Sequence, residues 1–200
     1  MAEKMTIGVL ALQGAFAEHE AMLKELTADY REIRQRKDLT DDLDGIIIPG
    51  GESTVQGKLL HDLGLFEPLR QKIIQGLPVM ATCAGLILLA EEVSNDKPLL
   101  ATLPVRVRRN AYGRQLGSFA ADGAVAGIGD YPLRFIRAPY IEACLATEVQ
   151  VLNETAGHIT AVQYHNQLAM AFHPELTHDL RIHAYFLEIA AKRKKLALGA

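Results

Sequence analysis

No apolar stretch in this chain approaches the roughly 18 consecutive residues that a membrane-spanning helix requires, so no bilayer segment is expected among its 200 residues. Cysteine is scarce, with Cys83 and Cys144 alone. A chain of this length buries enough apolar surface to fold without disulfide staples, and no secretory leader opens it. A reducing, cytoplasmic setting is therefore expected. An excess of one charge is also missing, the net value being -3. Arg106, Arg108 and Arg109 make only a local basic cluster, which argues against nucleic acid as the main partner. The phosphate-binding pattern Gly-x-x-x-x-Gly-Lys-Ser/Thr is absent, and Gly8 and Gly14 do not complete Gly-x-Gly-x-x-Gly, so nucleotide binding is disfavoured. His19, His61, His158, His165, His178 and His183 show no metal-ligand spacing; packing or surface roles are expected for them, with no metal and no cofactor. Repeats, low-complexity tracts and linkers are lacking too, and residues 1–200 read as a single domain.

What is present is an alternation of periods. Residues 7–12 form a short continuous apolar run ending at Gln13-Gly14, the pattern of a strand buried on both faces. Phe16, Met22, Leu23 and Leu26 then fall at the three- and four-residue spacings of one helical face. A weak strand over 30–35 and a polar loop over 37–44 lead to Gly45-Ile46-Ile47-Ile48-Pro49, a second buried strand that ends in Gly50-Gly51-Glu52-Ser53-Thr54. Helical patterns cover 55–63 and 66–75, a third strand covers 79–82, and an amphipathic helix is expected after Cys83. Strands alternating with helices imply an α/β fold with a mainly parallel, helix-covered sheet.

Beyond about Leu99 the texture changes. Segments 105–108, 135–137, 149–152, 158–164 and 168–172 look like shorter strands among glycine, proline and polar residues, which predicts an antiparallel extension. A last helix is expected from about Thr177 as N-cap, with Asp179 in its first turn and Ile182, Phe186, Ile189 and Ala190 on its packing face. The run Lys192-Arg193-Lys194-Lys195 reads as a solvated final turn that complements the helix dipole.

Three segments could carry chemistry. Cys83 stands where the apolar run 78–82 stops and a helix begins, the arrangement of a nucleophile on a strand-to-helix turn, whose following backbone N–H groups face developing negative charge. On its own, such a cysteine reads equally as a buried structural thiol. An unassisted thiol, with a pKa of about 8.5, is only a few per cent thiolate at neutral pH and needs a base beside it. His173 is the best candidate, because Pro174 holds its predecessor in extended geometry at the end of a strand. Two residues on, Glu175 could return to orient the ring, the third role of a triad. A capped or solvated histidine in a turn fits the same three residues. Gly50-Gly51 after a buried strand could bring a main-chain N–H up to a ligand, or could simply make a tight turn into a helix.

Together, Leu10-Ala11-Leu12-Gln13-Gly14, Pro49-Gly50-Gly51-Glu52-Ser53-Thr54, Thr82-Cys83-Ala84-Gly85-Leu86, Arg109-Asn110 with Gly113-Arg114-Gln115, Phe135-Ile136-Arg137-Ala138-Pro139 and Phe172-His173-Pro174-Glu175-Leu176-Thr177 resemble one family in register over nearly the whole chain. It is the glutaminase subunit of pyridoxal 5'-phosphate synthase, among the class I, triad glutamine amidotransferases. The resemblance implies a flavodoxin-like three-layer sandwich and hydrolysis of L-glutamine through a cysteinyl thioester. By the same resemblance Cys83 attacks the carboxamide, His173 protonates the departing ammonia and Glu175 orients His173. The N–H groups of Gly51 and Ala84 would form the oxyanion hole. Gly51, Glu52, Ser53, Arg109, Ile136 and Arg137 match glutamine-binding positions. The implied partner is the (β/α)8-barrel synthase subunit, in a hetero-oligomeric complex that takes up the ammonia. Docking of that partner is implied to order the Gly-Gly loop, and Gln13 is assigned to this activation.

One departure from the pattern is Ala81, where many related glutaminases have glycine; its methyl is expected to pack without loss of activity. Cys144 matches no motif and reads as a small apolar residue. Two other readings stand beside the glutaminase: a different cysteine hydrolase on a similar elbow, active without a partner, and a catalytically silent binding module of the same fold.

Overall fold

The computed structural model describes residues 4–109 and 118–198. The first half is built from β1 (Thr6–Leu10), α1 (Phe16–Glu25), β2 (Asp29–Ile33), β3 (Gly45–Ile48), α2 (Ser53–Asp62), α3 (Phe66–Ile74), β4 (Val79–Thr82) and α4 (Ala84–Leu89). The second half comprises β5 (Ala90–Val93), β6 (Leu103–Arg108), β7 (Ser118–Val125), β8 (Gly129–Ile136), β9 (Tyr140–Cys144), β10 (Gln150–Thr155), β11 (His158–Tyr164), β12 (Gln167–Met170) and α5 (Arg181–Leu198). The strands of the large sheet run in the order β2-β1-β3-β4-β12-β11-β9-β6-β5, with β10 paired to β11 and β7-β8 forming a separate ribbon.

The sheet is parallel from β2 through β12, then antiparallel across β12-β11-β9-β6, and parallel again between β6 and β5. Helices supply the crossovers between the parallel strands from β1 to β4, whereas the tight links from β10 to β11 and from β11 to β12 make antiparallel hairpins. The mixed α/β class expected from the alternating pattern is what the chain adopts. Every residue of β3, β4 and β12 is buried, which is why those strands read as unbroken apolar runs rather than alternations. On α5, Ile182, Phe186, Ile189 and Ala190 are buried as their spacing predicts.

Several local expectations are corrected. The helix after Cys83 is not amphipathic: all six residues of α4 are buried between α2 and the sheet, and the chain leaves it at once into β5, whose Glu91 and Glu92 are exposed. Thr177 does not cap the last helix. Its hydroxyl donates to the Pro174 carbonyl at 2.8 Å and accepts the Asp179 N–H at 3.2 Å, closing a turn. Asp179 then takes the N–H of Arg181 at 3.1 Å, and α5 starts there. The Lys192–Lys195 run is not simply solvated, because Lys194 reaches the Asp44 carboxylate at 3.1 Å and ties α5 to the loop before β3. The three-arginine cluster is paired off: Arg106 with Glu92 at 2.6 Å, Arg108 with Glu142 at 2.7 Å, and Arg109 with Glu52 at 3.2 Å. Ala81 lies fully buried in β4, and Cys144 is half-buried against the core, with burial pushing its thiol pKa up.

Candidate active site

The strands β1, β3, β4 and β12 are parallel neighbours, and each releases a candidate residue at its carboxyl end: Gln13, Gly50, Cys83 and His173. That edge is where open α/β sheets place their ligands. Cys83 joins β4 to α4 with φ 47° and ψ -100°, a conformation that costs a non-glycine residue about 1–3 kcal/mol. Pairing in the sheet holds it there, since the Cys83 N–H donates to the Met170 carbonyl at 2.8 Å. The sharp turn presents the thiol at the strand end, where Sγ lies 3.8 Å from the Ile136 carbonyl oxygen.

His173 has the extended backbone that Pro174 demands, with φ -109° and ψ 90°, and the chain then makes a 3-10 turn over Pro174–Leu176. This turn carries Glu175 back to the ring. Nδ1 of His173 meets Glu175 Oε1 at 2.7 Å; a carboxylate can only accept, so the hydrogen-bond network assigns the proton to Nδ1. Nε2 is buried and has no hydrogen-bond partner among the described residues. It is the nitrogen left for proton transfer.

The electrostatics favour a charged ring. Burial alone would lower the His173 pKa, but interaction with Cys83 and hydrogen bonding to Glu175 outweigh it and raise the imidazole to about 10. Burial would raise Glu175, yet the neighbouring His19 and His173 hold its carboxyl below the usual range. An imidazolium braced by a carboxylate is the partner that a cysteine nucleophile needs.

The Gly50-Gly51 loop forms the opposite wall. Gly50 donates its N–H to Thr82 Oγ1 at 2.9 Å and accepts the Ala15 N–H at 3.0 Å through its carbonyl. In a trans peptide the N–H of Gly51 must point away from that carbonyl, hence away from Ala15. Gln13 grips the same loop: its Oε1 accepts the Glu52 N–H at 2.8 Å, and its carbonyl accepts from Gln56 Nε2 at 2.8 Å. Gln56 also reaches the Pro49 carbonyl at 3.1 Å.

One cavity of about 330 Å³ is lined by Gln13, Gly51, Glu52, Ser53, Cys83, Ala84, Arg109, Ile136, Arg137 and His173. Every candidate residue except Glu175 thus shares one space, and Glu175 stands behind His173. Within it Glu52 Oε1 accepts from Arg109 at 3.2 Å and from Thr54 Oγ1 at 3.1 Å. Arg109 is also paired with Asp96, so its guanidinium bridges two carboxylates at the rim. Arg137 has φ 42° and Ile136 is exposed, both at the end of the β7-β8 ribbon. Asn110, Gly113, Arg114 and Gln115 lie outside the described residues.

Sequence reasoning missed the layer behind the triad. His19, expected only to pack or to face solvent, is fully buried with its Nε2 3.5 Å from Glu175 Oε2, and His183 is buried beside it. The available signal was spacing: His19 stands three and four residues before Met22 and Leu23, which share its buried face on α1.

Comparison with known proteins gives concordant matches. The model of the SNO glutamine amidotransferase family matches residues 9–192. A pyridoxal 5'-phosphate synthase subunit PdxT from Desulfitobacterium hafniense is 57% identical over 185 residues, covering 92% of each chain. The subunit of the same name from Methanocorpusculum labreanum is 54% identical over 187 residues, covering 94% of this chain and 98% of its own. Among solved structures, a glutamine amidotransferase superimposes with a TM-score of 0.87 at 43% identity, covering 92% of this chain and 98% of the other.

Proposed function

This chain belongs to the SNO glutamine amidotransferase family, and on that premise we propose that it hydrolyses glutamine through Cys83, His173 and Glu175. It is a glutaminase of pyridoxal 5'-phosphate, or vitamin B6, biosynthesis. The observation that carries the residue assignment is the strained elbow at Cys83, opening into the same cavity as a His173 whose other face is anchored by Glu175.

In this reading the Cys83 sulfur attacks the side-chain carbonyl carbon of glutamine. The C=O electron pair moves onto oxygen, which the N–H groups of Gly51 and Ala84 stabilise; such donors are each worth roughly 3–4 kcal/mol. His173 gives its Nε2 proton to the amide nitrogen, the C–N bond breaks, and ammonia leaves a glutamyl thioester. His173 then takes a proton from water as the hydroxyl adds to the thioester carbon. Collapse of that intermediate breaks the C–S bond and frees glutamate. Glu175 keeps the proton on Nδ1 and stabilises the imidazolium throughout. Glu52, Ser53, Arg109, Ile136 and Arg137 hold the amino-acid end, with an arginine suited to the α-carboxylate and Glu52 to the α-ammonium.

Free ammonia would be lost to protonation and diffusion, so the acceptor must be close. The reading therefore includes docking to the synthase subunit, a (β/α)8 barrel, in a hetero-oligomeric complex in the cytoplasm, with Gln13 transmitting partner contact to the loop it grips. Among the described residues, no helix is long and apolar enough to cross a membrane. Glutamate release from glutamine, measured with and without the synthase subunit for the wild type and Cys83→Ala, tests the assignment. Cys83→Ala is expected to lose all turnover in both conditions; activity that survives without Cys83 overturns it.

A further inference from the structure

Behind Glu175 lies a buried polar chain that the reaction as described does not use. His19 Nε2 stands 3.5 Å from Glu175 Oε2 and 3.3 Å from Thr82 Oγ1, while its Nδ1 stands 2.9 Å from His183 Nε2. His19, Thr82 and His183 are completely buried. Thr82 Oγ1 also accepts the N–H of Gly50. The chain therefore runs from the acid of the triad to the loop on the other side of the nucleophile.

The proton positions follow from satisfaction of buried groups. If His19 carries its proton on Nε2, an N–H faces the Glu175 carboxylate and the Thr82 oxygen, and Nδ1 accepts from His183 Nε2. Within this polar chain, and among the described residues, two buried atoms are then left without a hydrogen bond: the acceptor lone pair of His183 Nδ1, and Glu175 Oε2, which the His19 N–H faces across 3.5 Å. The opposite tautomer would turn a lone pair towards a carboxylate and strand a buried N–H on His183, the costlier fault. Burial lowers the pKa of both rings, which keeps the pair neutral and this arrangement intact. Among the described groups, the ionisable side chains facing His19 are Glu175 and His173 from the 3-10 turn, His183 from α5 and Glu18 from its own helix.

We propose that His19 is a positioning residue of this enzyme: its Nε2–H, 3.5 Å from the second oxygen of Glu175, restrains that carboxylate by electrostatic attraction, and through Thr82 it couples the triad acid to the Gly50 amide of the loop. The inference rests on the triad reading given above. Without His19, Oε2 loses the N–H that faces it, and the carboxylate can rotate away from Nδ1 of His173. In metal sites, loss of the outer-shell partner that orients a ligating histidine or carboxylate costs roughly 10- to 100-fold in metal affinity or activity, and a loss of that order is expected here.

Two substitutions separate position from packing. Asparagine at this site places its amide where Nδ1 was and keeps the His183 bond; glutamine places its amide where Nε2 was and keeps the contacts to Glu175 and Thr82. Glutaminase activity is measured in the complex with the synthase subunit. His19→Asn is expected to lower kcat 10- to 100-fold with KM for glutamine within about twofold. The pH profile for alkylation of Cys83 by a glutamine-analogue electrophile should shift upwards in the same variant. His19→Gln is expected to rescue kcat to within about threefold and to restore that profile. Equal losses in the two variants, or an unshifted alkylation profile in a folded His19→Asn, overturn the proposal. Should His19→Asn not fold, a folded His19→Gln that has lost tenfold or more overturns it alone. Cys83→Ala, run beside them, separates the two levels: if it stays active the triad reading itself has failed, whereas a dead Cys83→Ala with an indifferent His19→Asn sinks only the role of His19.

Discussion

Gly50→Ala isolates one steric demand of the site. Gly50 does not occupy the left-handed backbone region, so alanine suits its conformation; what it lacks is room. A Cβ there would stand 3.0 Å from His173 Nδ1, closer still to Cε1, and 3.4 Å from the Cys83 Cβ. The backbone cannot retreat freely, because Thr82 Oγ1 holds the Gly50 N–H and the Ala15 N–H holds its carbonyl. The ring must move instead, and restoring an ordinary contact of about 3.5–4.0 Å displaces it by roughly 1 Å. A misplacement of about 1 Å in a catalytic group costs on the order of 100-fold, or about 2.7 kcal/mol of barrier. The assay is glutamate release at saturating glutamine with the synthase subunit present, beside a thermal melt. Gly64→Ala is the matched control: its φ is +65° with nothing within 4 Å of the added methyl. Strain of about 1–2 kcal/mol should lower its Tm by a few degrees and leave kcat alone. A Gly50→Ala enzyme with kcat within threefold of wild type would refute the reasoning that contact with Gly50 sets the His173 ring.

The other two expectations concern the loop and the acid. Gln13→Ala removes the acceptor of the Glu52 N–H and should lower partner-stimulated glutaminase activity at least tenfold while the Tm stays within a few degrees; unchanged stimulation removes Gln13 from activation. Glu175 has its pKa held below the ordinary 4.5, so its contribution to stability is present above that value and is lost as pH falls through the folded pKa. The Tm advantage of wild type over Glu175→Gln should therefore shrink below about pH 4.5. An advantage that stays constant from pH 7 to pH 3, followed by calorimetry, contradicts that sign.

The legible parts of the chain were those whose environment is uniform along the element. β1, β3 and β4 are buried on both faces, so their apolar runs and the residues at their ends could be read directly, and three of those ends carry Gln13, Gly50 and Cys83. The strands that escaped notice are the ones whose environment comes from elsewhere in the fold. β5 is an edge strand with two exposed glutamates. β7 alternates small and exposed residues and pairs only with β8, which contains Pro132. In β9 only Ile141 is fully buried. None offers the hydrophobic period that defines a strand in isolation. α4 fails in the opposite direction: with helices and sheet on all sides it has no polar face, so no period betrays where it stops.

The same distinction explains which parts of the site escaped. Cys83, His173 and Glu175 are near their structural signals in sequence: a strand end, a proline, a two-residue return. The His19–Glu175 contact joins residues far apart in the chain, and nothing near His19 in sequence calls for a polar side chain there. Thr82 shows how tightly that hidden layer is tied to the visible one. As the last residue of β4 it must be buried and suited to a strand, which valine would satisfy equally well. Only the hydroxyl distinguishes the two, and it meets the Gly50 N–H on one side and the His19 ring on the other. Valine would leave a buried backbone N–H without an acceptor, a cost of about 1–3 kcal/mol. The hydroxyl at position 82 therefore belongs to the loop and the triad together, and the residue before the nucleophile is fixed by what stands on either side of Cys83 rather than by the strand that contains it.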